Sequence, residues 1–291
     1  IDDGTVFRMS ANAFRLCAQE RHLPWLLDTA IGYQVSVADV SETIAGLALQ
    51  GPTSCAVLKS LGLEGVENLK PYAMIEFDLD GHTLGVSRTG FTGDLGYELW
   101  IQPGLALELW DELYAAGENY CIQPYGEVAT NMARLEAAFI MPNMEFNEAL
   151  RTVHFEHDQT PFELNLGWLV DFDKPHFSGR RALLSEKRRG SKYTLTKLDI
   201  EGNKPAERSY IYKNKRCTRE IGYITSAMWS PAVKANIALA MIETKHLQGE
   251  LWAEIYYEKE LRQYSRVARC TRKKKPFWTP ARARATPPAD Y

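Results

Sequence analysis

Two carboxylate positions in the sequence combine residue types that could bind or activate a small ligand. The first is Glu98, which follows Tyr97 and a glycine-rich loop at residues 90–96 and precedes Leu99 and Trp100. Alternation along a strand places Glu98 and Trp100 on one face and Tyr97 and Leu99 on the other. A carboxylate there could accept two hydrogen bonds from a flat heterocycle. An exposed glutamate on a half-buried strand explains the same pattern without a ligand.

The second position is the pair Asp2 and Asp3, which precedes Gly4 at the start of a predicted strand. Neighbouring residues of an extended chain point to opposite faces, so only one of the two carboxylates can face a given cleft. A solvent-facing aspartate at a strand edge fits the spacing equally well.

Other catalytic and metal-binding motifs are missing from the sequence. The glycines of residues 90–96 follow the pattern GxxGxxG rather than the GxGxxG of dinucleotide-binding proteins, and neither a P-loop nor a GxSxG sequence occurs. His154, His157 and Asp158 form the one cluster with metal-like composition, but their spacing differs from HExxH. A hydrated polar turn is the favoured interpretation, so no metal is predicted.

Composition excludes several classes of protein. The 291 residues are 45% hydrophobic and 24% charged, which excludes a mainly disordered chain, and no apolar run approaches the length of a membrane span. The net charge of the whole chain is −3, but residues 271–291 alone carry +5, so residues 1–270 carry −8. Such an acidic body does not favour a surface that binds nucleic acid. Five widely spaced cysteines without a CxxC motif fit a reducing, cytoplasmic compartment.

Strands and helices must hold these carboxylates in place. Asp80 and Gly81 between two apolar runs predict a hairpin, and residues 104–117 predict an amphipathic helix. From residue 191 the helical patterns stop, and short strands separated by turns predict a small β-barrel. The sequence therefore predicts an α+β fold with domains at 1–185 and 191–270, followed by a basic, disordered tail at 271–291.

Several sequence blocks resemble the glycine cleavage system T-protein (aminomethyltransferase) family. They occur in family order and together span nearly the whole chain. The blocks are LQGP at 49–52, RTGFTGDLGYE at 88–98, RLEA at 134–137, TPFE at 160–163, LGW at 166–168, FSGR at 177–180, IGYITS at 221–226, SP at 230–231 and IALA at 237–240.

The resemblance implies a multi-domain folate-binding fold that ends in a β-barrel, with tetrahydrofolate as the acceptor of a one-carbon unit. By position, Glu98 matches the carboxylate that anchors the pterin ring, and Asp3 matches the catalytic acidic residue. Phe91 takes the place of an aromatic residue of the cleft, and Tyr97 and Arg180 are further predicted cofactor-binding residues. The chain begins at the Asp2–Asp3 block, so the family's preceding amino-terminal segment is predicted to be missing.

The sequence blocks do not identify the donor of the one-carbon unit. The resemblance implies an aminomethyl group on a lipoyl carrier protein, in the cytoplasm or, in a eukaryote, the mitochondrial matrix. However, Thr130 and Asn131 stand where the family has an Arg-Asp pair, and the block after Glu136 also differs. These departures favour demethylation of a small methylated amine, sulfonium or aryl ether. A non-catalytic folate-binding protein and an interaction protein that works through its basic tail are the remaining alternatives.

Overall fold

The computed structural model describes residues 2–148 and 158–288, which divide into two compact units. The sheet unit comprises residues 2–130 and 279–288, and the barrel unit comprises residues 131–148 and 158–278. Within these described ranges, no helix combines the length and apolar character needed to cross a bilayer.

The sheet unit is built on a four-stranded antiparallel sheet, whose strands in spatial order are Ala45–Gln50, Gly96–Ile101, His82–Ser87 and Met74–Leu79. Its elements are β1 (Gly4–Arg8), β2 (Phe14–Ala18), α1 (Leu23–Ala30), β3 (Ala45–Gln50), α2 (Ser54–Ser60), β4 (Met74–Leu79), β5 (His82–Ser87), β6 (Gly96–Ile101), α3 (Ala106–Gly117) and the start of α4 (Glu127–Glu136). Asp80 and Gly81 both adopt positive φ between β4 and β5, as a two-residue hairpin requires.

One face of this sheet forms the core of the unit. Tyr97 and Leu99 of β6 pack in one buried cluster with Leu58 of α2 and Leu109 of α3. The amphipathic pattern of α3 explains this arrangement, because its apolar side removes hydrocarbon from water against the sheet. The opposite face of β6 therefore carries Glu98.

The β1–β2 hairpin packs on that opposite face. Thr5 pairs with Cys17 and Phe7 pairs with Arg15, so these four side chains share one side of the hairpin. Phe7 is buried, and its ring meets the indole of Trp100 edge to face with 5.9 Å between centroids. The hairpin thus brings its inner side chains to the part of the sheet that bears Glu98.

The barrel unit contains a closed antiparallel barrel, which confirms the predicted α+β fold with a carboxy-terminal barrel. Its elements are α5 (Arg180–Arg189), β7 (Tyr193–Ile200), β8 (Tyr210–Tyr212), β9 (Glu220–Ser230), β10 (Ala235–Glu243), β11 (Leu251–Lys259) and β12 (Arg262–Lys273), with the end of α4. Small and branched side chains such as Ala238, Ala240 and Ile211 fill its interior.

The compact units differ from the predicted domain limits for a physical reason. Leu135, Ile140 and Leu164 lie before the predicted barrel domain, yet they pack in one cluster with Leu239 and Met241 on the outside of the barrel. Residues 131–148 and 158–185 therefore belong with the barrel by their contacts.

The tail differs from the prediction of disorder. β12 continues to Lys273, which pairs with Lys197 of β7 and forms an ion pair with Asp199. Beyond the barrel, Arg282 forms an ion pair with Asp94 within the sheet unit. The sequence predicts a solvated charge run because these partners are far away along the chain.

Candidate functional site

The candidate site lies on the face of the sheet that points away from the core. Glu98 is half-buried on β6, opposite Ser87 of β5 and Ala48 of β3. The alternation predicted from the sequence is therefore confirmed, because Tyr97 and Leu99 point into the core instead.

A chain of hydrogen bonds orients the Glu98 carboxylate. The indole N–H of Trp100 donates to Ser87 Oγ at 3.0 Å, and Ser87 Oγ lies 2.7 Å from Thr89 Oγ1. Thr89 donates its own proton to Oε2 of Glu98 in a short hydrogen bond. Ser87 must therefore be the donor toward Thr89, which fixes the direction of the whole chain. Oε1 of Glu98 has no hydrogen-bond partner in the described part of the chain, so it can accept from a ligand.

The charge of Glu98 also affects the pKa of two further groups. Burial raises the pKa of the Cys17 thiol, with the Glu98 carboxylate adding to the rise and Arg15 opposing it. Burial also raises the pKa of Tyr125, again with a contribution from Glu98. Sequence reasoning missed Cys17, Tyr125 and Thr89. Only Thr89 stands in a motif, directly before the glycine-rich loop.

Gln50 holds the two ends of the glycine-rich loop together. Its side-chain amide donates to the carbonyl oxygens of Thr89 at 3.3 Å and Tyr97 at 3.2 Å, and its Oε1 accepts from Thr92 at 3.0 Å. A Cβ on Gly90 or Gly96 would lie 2.1 Å from Gln50 Oε1. Glycine at these two positions leaves the space that the amide occupies, which explains the loop composition.

Asp3 is a partly buried carboxylate at the start of β1. Desolvation by burial raises its pKa, the neighbouring Asp2 adds to the rise, and a hydrogen bond from the Gly4 N–H opposes it. Asp2 has a separate role, since it pairs with the buried His22 at 2.7 Å and accepts the Asp3 backbone N–H at 2.8 Å. Asp2 thus fixes the start of the strand, whereas the Asp3 carboxylate takes no part in the contact with His22.

Of the two aromatic predictions, one is corrected. Tyr97 is 0% exposed and belongs to the core, on the side of β6 opposite Glu98, so it cannot line a ligand site beside that carboxylate. Phe91 is half-buried at the start of the glycine-rich loop, in the same segment that leads to Glu98. Its role as a cleft residue stays a prediction.

Arg180 belongs to the barrel unit, at the first turn of α5. Its guanidinium donates to the carbonyl oxygens of Lys174 and Phe172, each at 3.0 Å, and closes the loop that precedes the helix. Cofactor binding by Arg180 stays a prediction. Of the predicted polar turn, His154 and His157 lie outside the described residues, while Asp158 is exposed.

Thr130 and Asn131, where the resemblance predicts a departure from the family pattern, make local contacts. Thr130 Oγ1 donates to the carbonyl oxygen of Gly126, which lies directly before α4. Asn131 Oδ1 accepts from Nε of Arg134 at 2.8 Å and so supports a buried arginine.

Comparison with known proteins places this chain among T-proteins. A family model described as "GCVT N-terminal domain" matches residues 1–174, and one described as "Glycine cleavage T-protein C-terminal barrel domain" matches residues 194–276. An aminomethyltransferase of Caldanaerobacter subterraneus subsp. tengcongensis is 34% identical over 253 residues, which is 85% of this chain and 65% of that protein. One of Halothermothrix orenii is 31% identical over 246 residues, 83% of this chain and 66% of that protein. The chain thus spans slightly less than two thirds of the length of these curated relatives.

A solved structure extends the comparison to the fold. The crystal structure of glycine cleavage system aminomethyltransferase T from Bartonella henselae superposes with a TM-score of 0.79 at 23% identity. The match covers 96% of this chain and 72% of that one. Because the two family models together match most of the chain in order, this protein belongs to the glycine cleavage T-protein family.

Proposed function

We propose that this protein transfers a one-carbon unit to tetrahydrofolate: either the methylene carbon of an aminomethyl donor, with release of ammonia and the carrier thiol, or a methyl group, with release of the demethylated donor. The observation that carries the proposal is the Glu98 carboxylate, which is oriented through Thr89 and keeps Oε1 open on the non-core face of the sheet. Relatives named aminomethyltransferase support the same reaction class.

The residues present fit a flat, nitrogen-rich ring. Glu98 would accept hydrogen bonds from the ring N–H groups, and its fixed orientation would set the position of the ring. Phe91 would line the same cleft with its aromatic face. Held in this way, the two reactants meet in a near-attack arrangement rather than by random encounter.

Asp3 would provide the electrostatic part of catalysis. Tetrahydrofolate, when bound, supplies the nitrogen that accepts the one-carbon unit. The ionised Asp3 carboxylate would stabilise the positive charge that develops during transfer, and could take up the proton that is released. Its partial burial strengthens such an interaction, because nearby water screens the charges less.

The nature of the donor is the second part of the proposal. An aminomethyl group on a lipoyl carrier protein is the first candidate, in the cytoplasm or the mitochondrial matrix of a eukaryote. The departure at Thr130 and Asn131 favours a methylated amine, sulfonium or aryl ether instead, because neither residue offers the cation that the family pattern has there. A folate-binding protein without transferase activity is the remaining candidate.

A donor panel tests the proposal. The protein is incubated with tetrahydrofolate and, separately, an aminomethyl-loaded lipoyl carrier protein, a dimethylated amine, a dimethylsulfonium compound and an aryl methyl ether. Chromatography then measures methylene- or methyl-tetrahydrofolate. We expect one donor to give product with the natural protein and much less with Asp3→Asn. Binding of tetrahydrofolate without product from any donor would favour the non-catalytic alternative.

A further inference from the structure

We propose that the carboxy-terminal segment, residues 279–288, is a working part of the Glu98 site. In this proposal, Arg282 is a positioning residue that holds the glycine-rich loop, through Asp94, in the conformation that presents Glu98 and Phe91 to the ligand. The inference rests on the proposed function for the identity of the ligand, but the contact with the loop is independent of it.

The contact between Arg282 and Asp94 has the geometry of a fixed pair. Nε of Arg282 donates to Oδ1 at 2.7 Å, and Nη2 donates to Oδ2 at 2.6 Å. Two parallel hydrogen bonds between a guanidinium and a carboxylate define an orientation, which a single contact does not. Oδ1 of Asp94 also accepts the backbone N–H of Leu95, so the pair acts directly on the backbone that leads into β6.

A second contact ties the segment to the other end of the loop. Arg88 is 5% exposed and donates to the carbonyl oxygens of Leu69, at 2.9 Å, and Ala285, at 2.5 Å. Its Nη2 also lies 3.4 Å from the carbonyl of Ala283. Undocking the segment would leave a buried guanidinium with fewer acceptors, which is costly. Arg88 immediately precedes Thr89, the donor to Glu98.

The glycine-rich loop is therefore held from two sides. Gln50, the last residue of β3, joins its ends, while Arg282 holds the loop at Asp94. A loop with three glycines has many accessible conformations, so each fixed contact reduces the entropy lost when a ligand binds. This reduction is what Arg282 would contribute to affinity.

Titration calorimetry with tetrahydrofolate under anaerobic conditions tests this inference in the full chain. Arg282→Ala is compared with Asp94→Asn, the double variant, and the control Arg284→Ala, which removes the same charge two residues away. We expect Arg282→Ala to weaken binding by about two- to five-fold, as the strength of an exposed pair allows. The double variant should be no weaker than either single variant, and Arg284→Ala should bind like the natural protein.

Hydrogen exchange of residues 90–98 without ligand provides a readout that does not depend on folate. Arg282→Ala should accelerate amide exchange there, and Arg284→Ala should not. Unchanged exchange and unchanged affinity in Arg282→Ala would overturn the inference, as would equal losses in both arginine variants. Faster exchange together with no tetrahydrofolate binding by the natural protein would overturn the proposed function and the assigned ligand, but uphold the contact.

Discussion

Asp3 gives the clearest prediction at the scale of a single residue. Because burial raises its pKa, the transfer rate should fall on acidification at a higher pH than an ordinary aspartate would give. Asp3→Asn should remove this acid limb and lower the rate by about a hundredfold. A pH–rate profile with the active donor measures both effects, and a variant with the natural profile would contradict the catalytic role.

The melting temperature distinguishes a catalytic role of Asp3 from a structural one. The folded protein holds the Asp3 proton more tightly than the unfolded chain does, so the contribution of Asp3 to stability is full at low pH and is lost as pH rises through the raised pKa. At neutral pH, Asp3→Asn should therefore not lower the melting temperature. A large decrease would show that the lost rate reflects damaged folding.

Thr89 provides a second residue-scale prediction. Thr89→Val keeps the shape of the side chain but removes the donor to Glu98, so the carboxylate loses its fixed orientation. Hydrogen bonds to charged groups contribute about 1.5–3 kcal/mol, and we expect tetrahydrofolate affinity to fall by about tenfold or more. Thr83→Val is the matched control, because Thr83 is an exposed threonine on β5, the strand that precedes Thr89. Equal affinities of the two variants would contradict the orienting chain.

The glycine-rich loop is the element whose geometry matters most. Gly96→Ala would place a methyl group 2.1 Å from Gln50 Oε1, and such overpacking costs about 1–3 kcal/mol of unfolding free energy. Gly104→Ala, with nothing within 4 Å of its added Cβ, should be nearly neutral. Denaturant unfolding measures both. The cost of Gly96→Ala should shrink in a Gln50→Ala background, and an unchanged cost would show that the amide is not the obstacle.

For an element, the sequence predicts which face of a strand a side chain occupies better than which side chains lie next to it in space. Alternation along β6 was enough to separate Glu98 from the core side chains. The prediction that Tyr97 binds the cofactor is wrong, because it follows from the block in which Tyr97 stands and not from the alternation along β6. The hydrogen bond from Thr89 to Glu98 depends on how the chain continues beyond β5, and the effect of Glu98 on Cys17 depends on hairpin packing. A single sequence carries no direct record of either.

At the scale of the whole molecule, the RLEA block stabilises the barrel unit. Arg134 and Glu145 form an ion pair with both side chains 0% exposed, and each also hydrogen bonds to Ser226 of β9. Removing one partner of such a pair costs about 3–5 kcal/mol, so Arg134→Met should strongly lower the unfolding free energy. Arg181→Met, on an exposed position of α5, is the control. A loss below about 0.5 kcal/mol for Arg134→Met would contradict this role.

Long-range contacts explain why the tail differs from the predicted disorder. Its basic composition predicts a solvated chain, yet Arg282 pairs with Asp94 across 188 residues of sequence. Arg88 likewise donates to the carbonyl oxygen of Ala285, which lies 197 residues later in the chain. A charge run is solvated only when the fold offers it no partners, and the sequence alone does not reveal which partners the fold offers.

The most direct test of the account is a tetrahydrofolate titration by calorimetry, with circular dichroism to establish that each variant is folded. Glu98→Ala is compared with Glu76→Ala, which removes an exposed glutamate from β4 of the same sheet. We expect saturable binding to the natural protein and to Glu76→Ala, and affinity lowered by about tenfold or more in Glu98→Ala. Equal binding to all three proteins, or no binding to the folded natural protein, would contradict it.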